Sequence, residues 1–212
     1  GSGNPLILIS GLGTDHKNWI FQIPEFQKHF KVIVFDNRGI GKSSGSFGPY
    51  STDLMAEDVK NLIEYLDIKK SHILGSSMGG MIAQKIAINY PKIIDKLVLC
   101  STSAKPHESI NNIIKDALHD ILDIKSKDLL DVQPKGILIR KFFDFFLRQV
   151  FSENFIKENK RLIKDFISDY TSNPRYYETF IKQSRAVSRH NALDDLSKIK
   201  SETLVITGIK DK

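Results

Sequence analysis

The chain has 212 residues, 41% hydrophobic and 26% charged, which suits one globular domain with a sizeable core and excludes a disordered polymer. Its net charge of +6 comes from 31 lysines and arginines spread along the chain without aromatic or glycine-rich modules, so no nucleic-acid partner is expected. A single cysteine, Cys100, excludes an internal disulfide and any multi-cysteine metal site; inside an apolar run it is expected to be a small buried hydrophobe.

Five continuously apolar runs punctuate the chain: PLILIS (5–10), KVIVFD (31–36), SHILG (71–75), KLVLCS (96–101) and TLVITG (203–208). Continuous rather than alternating apolarity is how a parallel strand covered on both faces reads. Between the first four lie three segments with helical spacing. Residues 17–29 carry Trp19, Ile20, Ile23 and Phe26; residues 52–67 carry Leu54, Met55, Val59, Leu62, Ile63 and Leu66; residues 78–90 stop at Pro91. Alternation of this kind predicts right-handed βαβ units and an α/β fold with a doubly wound, mostly parallel sheet.

The alternation breaks after the fourth run. From Lys105 to about Asn191 only helical periodicity is present, with Phe155, Ile156, Leu162, Ile163, Phe166, Ile167 and Tyr170 on one stripe and a dense aromatic cluster at 141–151. Acids and bases alternate at helical spacing on the exposed side, as in Glu153/Lys157 and Arg161/Asp165. Some 85 residues is far beyond the roughly 2–6 usual for a connection in a compact sheet, so a helical cap is expected. The predicted organisation is a core over 1–104, a cap over 105–191 and the last part of the core over 192–212.

Two glycine-rich loops compete for the chemistry. DNRGIGKSSG (36–45) ends in the Gly-Lys-Ser of a phosphate-binding loop. Such a loop needs a glycine five residues before Gly41, where this chain has Asp36, a carboxylate of the wrong sign beside phosphates. The stronger signal is Gly75-Ser76-Ser77-Met78-Gly79, a G-x-S-x-G flush between an apolar strand and an amphipathic helix. A sharp strand-to-helix turn there projects the Ser77 hydroxyl at the carboxyl edge of the sheet, and leaves no room for side chains two residues before or after it. Ser77 as nucleophile would sit at a helix N-terminus, with the Met78 N–H aimed at a developing oxyanion. The second oxyanion donor is expected from the turn ISGLG (9–13), where the Leu12 N–H is the candidate.

With these motifs together the chain resembles the α/β-hydrolase fold family, and within it the carboxylesterase and 3-oxoadipate enol-lactonase-like branch. The resemblance is carried by PLILISGLGTDHKNW, VIVFDNRGIGKSSGSFGPYS, GSSMGGMIAQKIAINYPKIIDKLVLCSTSA and TLVITGIKDK, in order over about two-thirds of the chain. It implies Ser77 as nucleophile, Leu12 and Met78 as oxyanion-hole amides, and Asp211 as the triad acid. The DNRGIGKSSG loop then matches a D-x-R-G-x-G-x-S scaffold in which Asp36 and Arg38 pair, Gly39 and Gly41 supply backbone freedom, and Ser43 is held by hydrogen bonds.

The family order is serine, acid, then histidine, and the chain runs only to Lys212. None of the six histidines matches the base: His29 and His72 precede strands at the far end of the sheet, His107, His119 and His190 lie in or beside the cap, and His16, which follows the first glycine turn and can approach the site, suits a substrate-side or helix-capping role. The chain is therefore expected to be part of a longer enzyme, short of edge strands at both ends and inactive by itself. The implied reaction is ester or lactone hydrolysis on a small molecule, with no metal and no organic cofactor. A catalytically silent ligand-binding relative, or an acyltransferase or perhydrolase on the same fold, are the alternatives. No apolar stretch approaches a membrane span, so no membrane and a cytoplasmic location are expected.

Overall fold

The computed structural model describes residues 1–108, 111, 112, 147, 151–171 and 174–208. The five apolar runs form β1 (Pro5–Ile9), β2 (Lys31–Val34), β3 (Ser71–Ser76), β4 (Ile94–Cys100) and β5 (Glu202–Ile206). They make one fully parallel sheet in the order β2-β1-β3-β4-β5. Leu6 on β1 lies opposite Val32 of β2 on one side and His72 of the central strand β3 on the other.

Successive residues of a strand point to opposite faces, and here each face has its own core. Ile7, Ile9, Ile73, Leu97 and Leu99 turn to one side. There they meet α2 (Thr52–Tyr65) through Met55, Ala56, Val59 and Ile63, and α3 (Met78–Asn89) through Met81, Ile82 and Ile86. Leu6 and Leu8 turn to the other side, against Trp19, Ile23, Phe26 and Phe30. This is the doubly wound arrangement that the apolar runs predict. Helix α2 starts where Ser51 Oγ accepts from the Leu54 N–H at 3.0 Å, with Asp53 in the first turn, and α3 ends just before Pro91.

The segment 17–29 departs from expectation. It is a 3-10 turn (His16–Trp19) followed by a single-turn α1 (Ile23–Phe26), with Ile20 and Phe21 exposed. Pro24 is the cause: without an N–H it fits only the first turn, so a helix restarts there and none passes through. Cys100 is half-buried rather than buried.

The described part of 105–191 is helical, with α4 (Glu153–Glu158), α5 (Lys160–Thr171) and α6 (Pro174–Ser188). The expected single stripe is split at Asn159, which caps α4 and turns its Nδ2 back to the Phe155 carbonyl at 2.9 Å. The side chains of Phe166 and Tyr170, and all of the 141–151 cluster except Leu147 and Phe151, lie outside the described residues. Ile163 and Ile167 of α5 and Tyr176 and Phe180 of α6 pack with Leu147 and Ile40, and Leu12 packs against the same cluster. The helices therefore rest on the loops that follow β1 and β2. The Glu153–Lys157 and Arg161–Asp165 pairs form as the spacing suggests. Strand β5 is exposed along its whole length, leaving Leu204, Val205 and Ile206 open to solvent. No helix among the described residues is long and apolar enough to cross a membrane.

Candidate active site

Ser77 joins β3 to α3 with φ 54° and ψ −121°, a left-handed conformation unusual for a residue with a side chain. Backbone hydrogen bonds hold it on both sides. Its N–H donates to the Cys100 carbonyl at 2.9 Å, and its own carbonyl accepts from Gly80 N–H (2.9 Å), Met81 N–H (3.2 Å) and Thr102 Oγ1 (2.8 Å). The Ser77 side chain is exposed, and no hydrogen bond occupies its hydroxyl among the described residues. The flanking glycines are there for space. A Cβ on Gly75 would overlap the Gly79 carbonyl, and one on Gly79 would overlap the Ile9 carbonyl at the end of β1.

Met78 is the first residue of α3 and is buried, and its amide has no acceptor among the described residues, as expected at the start of a helix. Across from it is the turn after β1. A Cβ on Gly11 would sit 3.3 Å from Ser77 Cβ and 3.8 Å from Ser77 Oγ, so this turn and the serine are neighbours. Leu12 follows, half-buried, with its N–H likewise without an acceptor among the described residues. Asp211 lies outside the described residues.

The loop after β2 is built differently from the expected Asp36–Arg38 pair. Arg38 turns away to Asp58 of α2, with Nε to Oδ2 at 2.6 Å and Nη2 to Oδ1 at 2.5 Å, and stacks over Tyr50. A guanidinium fork prefers a carboxylate that it can meet with two parallel bonds, and Asp36 is already engaged. Its Oδ1 accepts from the His16 N–H (2.8 Å) and faces His16 Nδ1 (2.7 Å), while its Oδ2 accepts from the Lys42 N–H (2.9 Å). Burial opposes ionisation of Asp36, but these amide bonds and the His16 ring outweigh it and hold the carboxyl below its ordinary value. Ser43 Oγ donates to the Asp36 carbonyl at 2.6 Å, and Gly39 (φ 78°) and Gly41 (φ 53°) are left-handed, as expected.

Asp15, His16 and Asp36 offer ligand atoms within 4.8 Å of one another. Asp36 has spent its oxygens on amides and an imidazole, so the His16–Asp36 pair works as a staple between the two loops. A surface cleft of about 480 Å³ opens on the outer side of the loop after β2, between Phe35, Arg38, Ser44, Ser46, Asp58 and Leu62. Neither the Gly11–Gly13 turn nor Ser77 lines it.

The histidines hold other posts. His16 is bound to Asp36, His72 lies 3.4 Å from Asp95, and His190 is buried with Nδ1 at 2.9 Å from Thr52 Oγ1. Burial and the nearby Lys85 push the His190 imidazole down to about 4, against a smaller opposing pull from Asp53. Among the described residues none is hydrogen-bonded to Ser77. Sequence reasoning missed Thr102 as the anchor of the Ser77 carbonyl, and Gln183 and Tyr176 on α6, which bond the turn after β1. The last two are 163 residues or more from their partners, and no local pattern announces such contacts.

A parallel sheet with a strained serine at a strand-to-helix turn invites comparison with known proteins, and the family model described as alpha/beta hydrolase fold matches residues 4–212. The chain belongs to this family. Among curated relatives of this α/β-hydrolase is 3-oxoadipate enol-lactonase 2 of Acinetobacter baylyi, 38% identical over 104 residues, covering 49% of this chain and 39% of that protein. Among solved structures, the enol-lactonase of Burkholderia xenovorans LB400 superposes with a TM-score of 0.82 at 23% identity, covering 99% of this chain and 74% of its own. A hydrolase from Pseudomonas aeruginosa PA01 superposes at 0.79 with 27% identity, covering 97% of this chain and 72% of its own. The match thus spans about 39% of the length of that curated relative and about three-quarters of the solved ones.

Proposed function

We propose that this α/β-hydrolase cleaves a carboxylic ester or lactone through an acyl-enzyme on Ser77. The observation that carries the reading is the left-handed Ser77 between β3 and α3, with an exposed hydroxyl beside the turn that holds Leu12. Ser77 Oγ attacks the substrate carbonyl carbon as its proton passes to a histidine base. The carbonyl π electrons move onto oxygen, and the Leu12 and Met78 amides hold that oxyanion. Collapse of the tetrahedral species breaks the bond to the alkoxide, which takes the proton back from the imidazolium. Water, deprotonated by the same base, then releases the acid. Asp211 orients the histidine.

We assign that base to a histidine outside this chain: His16, His72 and His190 are engaged elsewhere, His29 sits before β2 at the opposite sheet edge, and His107 and His119 belong to the segment assigned to the cap. Residues 105–191 act as a helical cap, a reading supported by α5 and α6 resting on the loop after β2 and on the turn after β1 that adjoins the serine. The enol-lactonase relatives favour a small ester or lactone as substrate.

A fluorophosphonate probe should label Ser77 in the protein expressed from its complete gene, and Ser77→Ala should abolish labelling while leaving the melting temperature unchanged. Absence of labelling in the wild type would remove the serine-hydrolase reading. The 212-residue chain alone should turn over p-nitrophenyl acetate about 10³–10⁶-fold more slowly than the complete protein, the usual loss when a triad member is missing. Comparable rates would place the base inside the chain.

A further inference from the structure

The turn after β1 is held from a distance. Gly11 O accepts from Thr14 N–H (3.3 Å) and Thr14 Oγ1 (3.1 Å), which fixes the Gly11–Leu12 peptide plane. In a planar trans peptide the N–H points opposite the C=O, so the Leu12 N–H faces out of the turn. The next residue is pinned on both sides by α6. Gly13 N–H donates to Gln183 Oε1 at 3.0 Å, and Tyr176 OH donates to Gly13 O at 2.7 Å.

Gln183 is fully buried, and its other end is used as well: Nε2 donates to the Arg38 carbonyl at 3.3 Å. One side chain thereby ties the turn after β1 to the loop after β2. The helix also lies directly on this backbone, because a Cβ at Gly13 would run into Tyr176 Oη and the Phe180 ring. A buried amide bonded at both ends has a single orientation, so it fixes where the Gly13 N–H sits and, one residue back along the chain, how the Leu12 N–H is presented.

Resting on the acyl-enzyme reading above, we propose that Gln183, with Tyr176, is a positioning residue for the Leu12 oxyanion amide, so that the seating of α6 sets the geometry of the oxyanion hole. A donor displaced by about 1 Å stabilises the ground state and the transition state differently, and the loss falls on kcat.

The test is made on the protein expressed from its complete gene, measuring kcat and KM for p-nitrophenyl acetate together with a thermal melt for each variant. Gln183→Leu should lower kcat about 10–100-fold with KM within about threefold. Gln183→Glu should recover most of that loss while its carboxyl is neutral, since a protonated acid accepts from Gly13 N–H and donates to Arg38 O. Its rate relative to wild type should then fall as pH rises, a dependence that loss of packing alone does not produce. Tyr176→Phe keeps the ring and removes the hydroxyl; it should lower kcat in the same direction and serves if Gln183→Leu does not fold. Folded Gln183 and Tyr176 variants with wild-type kcat overturn the positioning role. Ser77→Ala separates the two levels: inactive Ser77→Ala with unaffected Gln183 variants overturns this inference alone, whereas fully active Ser77→Ala overturns the acyl-enzyme reading and this inference with it.

Discussion

Ser77 keeps a backbone conformation that costs a residue with a side chain about 1–3 kcal/mol. Hydrogen bonds from the neighbouring strand, from α3 and from Thr102 hold it there. The requirement for small residues around it is severe at Gly79, whose missing Cβ makes room for the Ile9 carbonyl. Gly79→Ala should therefore cost more than about 2 kcal/mol by urea unfolding, as the overlap is with backbone that cannot rotate away. Gly48 (φ 95°) has nothing within 4 Å of its Cβ position, so Gly48→Ala should cost only about 1 kcal/mol. A loss at Gly79 no larger than that at Gly48 would show that the Ile9 carbonyl gives way to the added methyl. The G-x-S-x-G was legible in the sequence because its residue types fall within five positions, although the Ile9 carbonyl that Gly79 makes room for comes from β1. The partner of Arg38 was not, since Asp36 and Asp58 are equally plausible by charge and only the fold reveals that Asp36 is saturated by amides.

Among the elements, all five continuously apolar runs became strands, although β5 is exposed along its whole length rather than covered on both faces. The segment 17–29 has the apolar spacing of one helix and is broken at Pro24, because a missing N–H decides helix continuity more firmly than side-chain pattern does. The loop after β2 is fastened to α2 by the two-pronged Arg38–Asp58 bond, with Arg38 largely buried against Tyr50. Arg38→Lys keeps the charge and loses the fork and the stacking, so it should destabilise by about 1–2 kcal/mol. A chemical-denaturation midpoint unchanged from wild type would mean the pair is replaceable by a point charge. Lys182, also over the Tyr50 ring, marks where α6 reaches the same loop.

Across the whole molecule, the return from α6 to the sheet is locked by His190 on Thr52, by Ala192 N–H on the Ala104 carbonyl (2.8 Å) and by Lys85 on the Asn191 carbonyl (3.1 Å). His190 titrates near 4 in the folded protein and near 6.5 when unfolded, so the unfolded chain binds the extra proton first. Stability from this group is complete above about pH 6.5, declines as pH falls toward 4 and is level below that. Urea unfolding at pH 7.5, 6 and 5 should show this decline in the wild type and a shallower one in His190→Gln. Asp36 adds the carboxylate case: its contribution stands above the ordinary carboxylate value and is lost as pH falls through its lowered one. The sequence by itself determined the parallel α/β sheet and the serine turn between its two glycines, because continuous apolar runs and a five-residue motif announce them locally. The tertiary structure alone decided that Asp36 binds His16, that Arg38 binds Asp58, and that Gln183 and Tyr176 hold the turn beside Ser77. Those contacts join residues 20 to 170 positions apart, and burial together with competition among polar groups selects the partner where local propensity is silent.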